Sequence, residues 1–173
     1  MGLLAGCGTA SPGGHMRGGG AGYQYSSLTC AAQSSPSGQT IAVLLGDMGM
    51  TQMMGGTAPR GGHMMLVATP ARVAGGQVTL VASNRGWRTH ELVILPLVTG
   101  SSSGRLTVGA DGKVPEAGSL GEASKSCAGG AGEGIKAGTV GWTTVGLARG
   151  RYELVCNLPN HYASGMTQEL DVT

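Results

Sequence analysis

The segment Cys156-Asn157-Leu158-Pro159-Asn160-His161-Tyr162-Ala163-Ser164-Gly165-Met166 spaces a thiol, an imidazole and a thioether in a C-x4-H-x4-M pattern. Thiolate, imidazole and thioether are soft-to-borderline donors, a set suited to copper. A mononuclear copper–thiolate centre needs two imidazoles and one thiolate in a roughly trigonal plane, with a weak axial thioether. One loop can supply three of these if the chain leaves a strand at Cys156, curls around an ion and re-enters a strand after Met166. Period-two alternation puts Tyr152, Leu154 and Cys156 on one strand face, so the sulfur should point inward among apolar neighbours. The fourth ligand must come from elsewhere, and His90 is the choice. It follows a Gly-containing turn and shares a face with Leu92 and Ile94. A lone inward His is ordinarily a hydrogen-bonded core residue, but the separate Cys/His/Met loop turns the balance toward ligation.

The elements that would position these residues read as short strands with Gly/Pro punctuation and little helical periodicity. Residues 41–45, 64–68, 78–83, 90–95, 142–147, 151–156 and 167–172 are the expected strands. They imply an all-β sandwich or barrel rather than an α/β protein. Residues 1–38 are dominated by Gly, Ser, Ala and Pro and read as a flexible tether, leaving 39–173 as the domain. Tyr23 and Tyr25 suggest that the end of this arm docks on the domain. A long, mostly polar insertion follows Pro96 and is expected to be a surface loop, with a helical turn or two over 118–126 that Gly121 weakens. Glu153 and Glu169 read as solvent-facing strand positions rather than an acid/base pair.

Composition narrows the function. The 173 residues include 34 Gly and no Phe, only 12% are charged, and the formal net charge is +2. With Lys and Arg scattered, no nucleic-acid surface is expected. No apolar run reaches membrane-spanning length. No G-x-S-x-G elbow occurs, and the Gly-rich stretches lack the strand–turn–helix setting of a phosphate loop. A copper oxidase or nitrite reductase would need extra His ligands and further domains, and with four His, two of them assigned above, and one apparent domain the chain is not expected to be an enzyme. Met48, Met50, Met53, Met54, His63, Met64 and Met65 crowd together. They read either as core filler in a Phe-free protein or as a second Cu(I) site, which would make the chain a copper-trafficking or storage protein. His15 is expected to be solvated.

The remaining cysteines bear on compartment. Leu4-Ala5-Gly6-Cys7 resembles the lipobox that precedes a lipid-modified Cys in bacterial proteins. Six residues cannot supply a full secretory signal, so either an upstream segment is missing or the match is accidental. Lipidation of Cys7 would give peripheral attachment to the outer face of the bacterial cytoplasmic membrane or the cell surface. Cys30 and Cys127 have no other evident role and are expected to form a disulfide in an oxidising compartment, although two free thiols remain an alternative.

Residues 151–166, with Arg151-Tyr152-Glu153-Leu154-Val155 leading into the loop quoted above, resemble the cupredoxin superfamily and are most similar to sulfocyanin-like proteins. The likeness covers about residues 38–173. It implies a Greek-key β-sandwich, one type 1 copper held by His90, Cys156, His161 and Met166, and one-electron transfer. The implied partner is a redox protein such as a cytochrome or terminal oxidase, docking near His161 on Leu158, Pro159, Tyr162, Ala163 and Trp87. Two departures stand out. Asn160 replaces a Gly common in the family before the second His, at a turn that favours a left-handed backbone. Glu91 replaces an Asn whose side chain ties the two ligand-bearing segments together.

Overall fold

A computed structural model describes residues 27–32, 36–47 and 64–173. Cys7, His15, Tyr23, Tyr25, Met48, Met50, Met53, Met54 and His63, and the readings attached to them, lie outside the described residues. The strands are β1 (Gln39–Asp47), β2 (Met64–Thr69), β3 (Arg72–Val73), β4 (Gly76–Asn84), β5 (Leu92–Pro96), β6 (Gly121–Ala123), β7 (Ala128–Gly129), β8 (Val140–Leu147), β9 (Gly150–Val155) and β10 (Thr167–Val172). They form two five-stranded sheets, ordered β2-β1-β4-β8-β7 and β3-β10-β9-β5-β6. The order forces the chain to cross repeatedly between sheets, as in a Greek-key sandwich. Pairing is mixed: β1 lies parallel to β4, and β9 antiparallel to both β5 and β10. Among the described residues no helix is long and apolar enough to cross a membrane.

Alternation builds the core. Ile41, Val43 and Leu45 of β1 and Val78, Leu80 and Ala82 of β4 face Leu92, Ile94, Leu154 and Leu170 of the other sheet. Cys156 and Met166 belong to this same cluster. Met64 packs against it from its edge, which favours the core-filler reading for that methionine.

The second sheet is buried on both faces, which the sequence reading did not anticipate. Val93, Leu95 and Val155 point away from the main core into a second cluster with Val114 and Tyr162, flanked by Leu106 and Val108. The insertion after Pro96 is therefore a covering layer as well as a loop. It corrects the expectation for Glu153, which is 1% exposed. Glu153 Oε1 accepts from Gly104 N, the Tyr162 hydroxyl and Thr167 Oγ1 at 2.6, 2.9 and 2.6 Å. Glu169 sits nearer the surface, paired with Arg151 at 2.6 Å.

Two element assignments also change. Residues 118–126 hold no helix; they contain β6, paired with β5. A Cβ on Gly121 would lie 2.4 Å from Val145 Cγ1, so the Gly that weakened a helix is needed for sheet packing. The strand expected from residue 90 begins at Leu92, and His90 instead forms an isolated bridge with Ile135.

Cys30 and Cys127 are joined by a disulfide with a Cα–Cα distance of 5.8 Å. Thr29 bonds Gly138 O through both its backbone N (2.7 Å) and its hydroxyl (3.0 Å), while Ser37 O accepts from Thr79 Oγ1 at 2.8 Å. These contacts hold the described part of the N-terminal arm against the first sheet.

Candidate metal centre

Cys156 follows the last residue of β9 and is fully buried. Its backbone N donates to Met166 O at 3.1 Å, and Met166 N donates to His161 O at 3.2 Å. These bonds draw the ligand loop shut. Inside it, His161 N bonds Leu158 O, and a single 3-10 turn spans Tyr162–Ser164. Asn160 adopts φ 68°, the left-handed backbone expected there. Asn is among the few side chains that tolerate it.

The insertion clasps the loop from outside. Asn157 Oδ1 accepts from Val114 N at 2.7 Å, and its Nδ2 donates to Val114 O at 2.9 Å and Glu116 Oε1 at 2.6 Å. Asn160 N donates to Gly112 O at 2.8 Å.

The structure brings the distant His90 to this loop. His90, Cys156 and His161 are all buried, and one donor atom from each lies within 4.8 Å of the other two. Sγ of Cys156 is 3.3 Å from His161 Nδ1 and 3.9 Å from His90 Nδ1, and the two Nδ1 atoms are 3.2 Å apart. Met166, fully buried, joins Cys156 in the surrounding apolar cluster. Val43, Leu92 and Leu154 are also members of that cluster.

Burial keeps both Cys156 and His161 in their uncharged forms. Burial pushes the Cys156 thiol up to about 12, against the lowering effect of the Glu91 and Leu158 N–H groups. Burial pulls His161 down to about 4, helped by His90 and Arg88, so its imidazole is neutral at pH 7 with a lone pair to give. The donor types fit copper: two imidazoles and a cysteine sulfur, with the Met166 thioether in the same buried cluster as Cys156.

Sequence reasoning missed Asp47 at the end of β1. Its Oδ2 lies 3.0 Å from His90 Nε2 and accepts from Trp87 N at 3.0 Å and Arg88 N at 2.9 Å. Burial raises this carboxyl, but the bonds from His90, Arg88 and Trp87 outweigh it and hold the group below its ordinary value. A carboxylate oxygen can only accept, so the contact directs Nε2–H toward Asp47 and turns His90 Nδ1 toward the other donors.

Glu91 restores the tie between segments by other means. Its backbone N donates to Cys156 Sγ at 3.3 Å. Its carboxyl, raised to about 7 by burial and then by Glu122, takes a hydrogen bond from Asn157 N.

At the surface beside the site, Trp87 is 42% exposed and His161 8%. Pro159 and Ala163 are exposed and Leu158 is half-buried. Tyr162 does not belong to this patch: it is buried in the second cluster.

No family model and no curated protein matches the sequence. Among solved structures, the chain is similar to auracyanin B, with 18% identity, a TM-score of 0.48, and coverage of 87% of this chain and 99% of that one. Rusticyanin from Thiobacillus ferrooxidans gives 18% identity, a TM-score of 0.46 and 79% coverage of each chain. Auracyanin A, described as a "blue" copper protein from Chloroflexus aurantiacus, gives 15%, 0.44, and 78% and 99%.

Proposed function

We propose that this chain is a mononuclear type 1 copper protein that carries single electrons between redox partners outside the cytoplasm. The observation that supports the reading most is the convergence of buried His90, Cys156 and His161 donors within 4.8 Å, with Met166 closing the same loop. Bound copper would supply a one-electron couple. The protein's contribution is rigidity: ligands braced by Asp47, Asn157 and the loop bonds would shift little between oxidation states, and small rearrangement favours fast transfer.

His161, at the solvent edge of the site, is the proposed exit for the electron. Leu158, Pro159, Ala163 and Trp87 offer a small apolar surface suited to a weak, short-lived encounter. A cytochrome or terminal oxidase is the proposed class of partner. The Cys30–Cys127 disulfide supports an oxidising compartment. Attachment through a lipid on Cys7 would keep the carrier at the outer face of the membrane.

The test is an optical spectrum of the purified protein with added Cu(II), followed by a redox titration. An intense blue thiolate-to-copper band at one copper per chain, reversibly bleached by reduction, is expected. Cys156→Ser should abolish it, and a band that persists in that variant overturns the assignment.

A further inference from the structure

Asp47 supplies no atom to the donor set, yet the chain segment that carries His90 is built around its carboxylate. All three of its contacts there, from His90 Nε2, Trp87 N and Arg88 N, converge on Oδ2. The side chain is 8% exposed. Gly86 makes the wrapping possible, because a Cβ at that position would sit 2.4 Å from Oδ2 and 2.8 Å from Asp47 N. Asn84 fixes the turn from inside: Nδ2 donates to Arg88 O at 2.7 Å and Oδ1 accepts from Gly86 N at 2.9 Å. His90 itself is locked to Ile135 by paired backbone bonds of 3.1 and 2.7 Å. The ring is thus held by its backbone on one side and by a carboxylate on the other.

An amide oxygen could accept these same hydrogen bonds. It would do so without the free-energy cost of taking a negative charge out of water. What separates Asp47 from a simple brace is its charge.

We infer that Asp47 is a positioning residue that sets the electron affinity of the metal centre, by fixing His90 with Nδ1 bare and by lending its ring negative charge. The inference rests on the copper reading above. A carboxylate hydrogen-bonded to a ligating imidazole raises the basicity of the ligating nitrogen. Stronger donation favours the more highly charged ion, so Asp47 biases the centre toward Cu(II) and lowers its reduction potential.

Asp47→Asn separates charge from geometry, since Oδ1 of the amide can occupy the place of Oδ2 and keep all three bonds. The variant should retain one copper and its blue band. Its preference for Cu(II) over Cu(I) should fall about tenfold, on the scale of other ligand-supporting residues. For a one-electron couple that is a rise of about 59 mV. A variant that loses thermal stability but keeps the wild-type potential shows a structural brace only and overturns the inference. A second measurement needs no variant. Nitrogen-15 NMR of the copper-free full chain should show His90 protonated on Nε2 and bare on Nδ1; the opposite tautomer overturns it equally. A wild-type chain that takes up no copper would sink the copper reading instead, with the tautomer result still deciding whether Asp47 fixes the ring.

Discussion

Replacing Tyr162 with Phe removes one oxygen from a place where the structure leaves little to substitute for it. Tyr162 follows ligand-loop His161 but turns the opposite way, into the cluster of Val93, Leu95, Val114 and Val155. Its hydroxyl donates to Glu153 Oε1 and accepts from Leu106 N, both at 2.9 Å. Burial raises the phenol to about 12, so it keeps its proton and donates at any working pH. Phe would preserve the ring packing. The lost hydroxyl bond is worth about 0.5–1.5 kcal/mol, and a buried N–H left without a partner costs about 1–3 kcal/mol. Leu106 is only half-buried, so the lower part of that second range applies. The sum is roughly 1.5–3 kcal/mol, a large share of the roughly 5–15 kcal/mol that holds a domain folded. Urea unfolding of the copper-free protein should show a lower midpoint with an unchanged slope. The blue band of the loaded variant should be unaltered, because the hydroxyl points away from the donors. A loss below about 0.5 kcal/mol, the size expected of an ordinary surface change, would refute the claim that the insertion seals this face.

Three further outcomes are expected of the same structure. The disulfide closes a loop with a sequence separation of 97, and replacing Cys30 and Cys127 with Ser should destabilise the chain by about 2–4 kcal/mol; equal unfolding midpoints for the two proteins would contradict this. Asn160 holds φ 68°, so Asn160→Gly should be neutral within about 0.5 kcal/mol while Asn160→Val loses at least about 1–2 kcal/mol, read from thermal midpoints. The metal-free Cys156 thiol is raised to about 12 and His161 lowered to about 4, so between those values the thiol holds its proton and the imidazole is neutral, with a single N–H. Metal uptake at pH 7 should therefore release one proton from Cys156 and none from His161, and apparent affinity should rise about tenfold per pH unit. A pH-stat titration releasing less than one proton per ion would contradict the assignment of Cys156 as a ligand.

The part of the site that lies in one loop, Cys156, His161 and Met166, was legible because its chemistry and its geometry are both local. Cys156 faces inward since Tyr152 and Leu154 do, and period-two alternation is indifferent to what packs above. The same rule misled at Glu153. Alternation says only that a residue faces away from the main core, and whether that side meets water depends on another segment. A signal was present: Leu92-Val93-Ile94-Leu95 is an unbroken apolar run, the pattern of a strand covered on both faces. Leu106, Val108 and Val114 punctuate the otherwise polar insertion that does the covering. Residues 118–126 were misread for a related reason, since Gly121 is set by the approach of Val145 and not by local propensity.

His90 shows where local reading stops. Period-two alternation gave its face correctly, yet the residue is not in a strand. Its position is the joint product of Ile135 from the insertion, Asp47 from the end of β1 and the Glu91–Cys156 contact across the second sheet. Asp47, before the next run of glycines and methionines, carries no mark in the sequence beyond that of a turn acid. Only pairing of β1 with β4, with Leu45 opposite Asn84, delivers its carboxylate to the turn that follows Asn84. Three of the four candidate donors are therefore encoded by spacing and the fourth, His90, by sheet register. The orientation of His90 depends on contacts that exist only once both sheets have formed, so the donors can converge in the folded sandwich and not in the isolated loop.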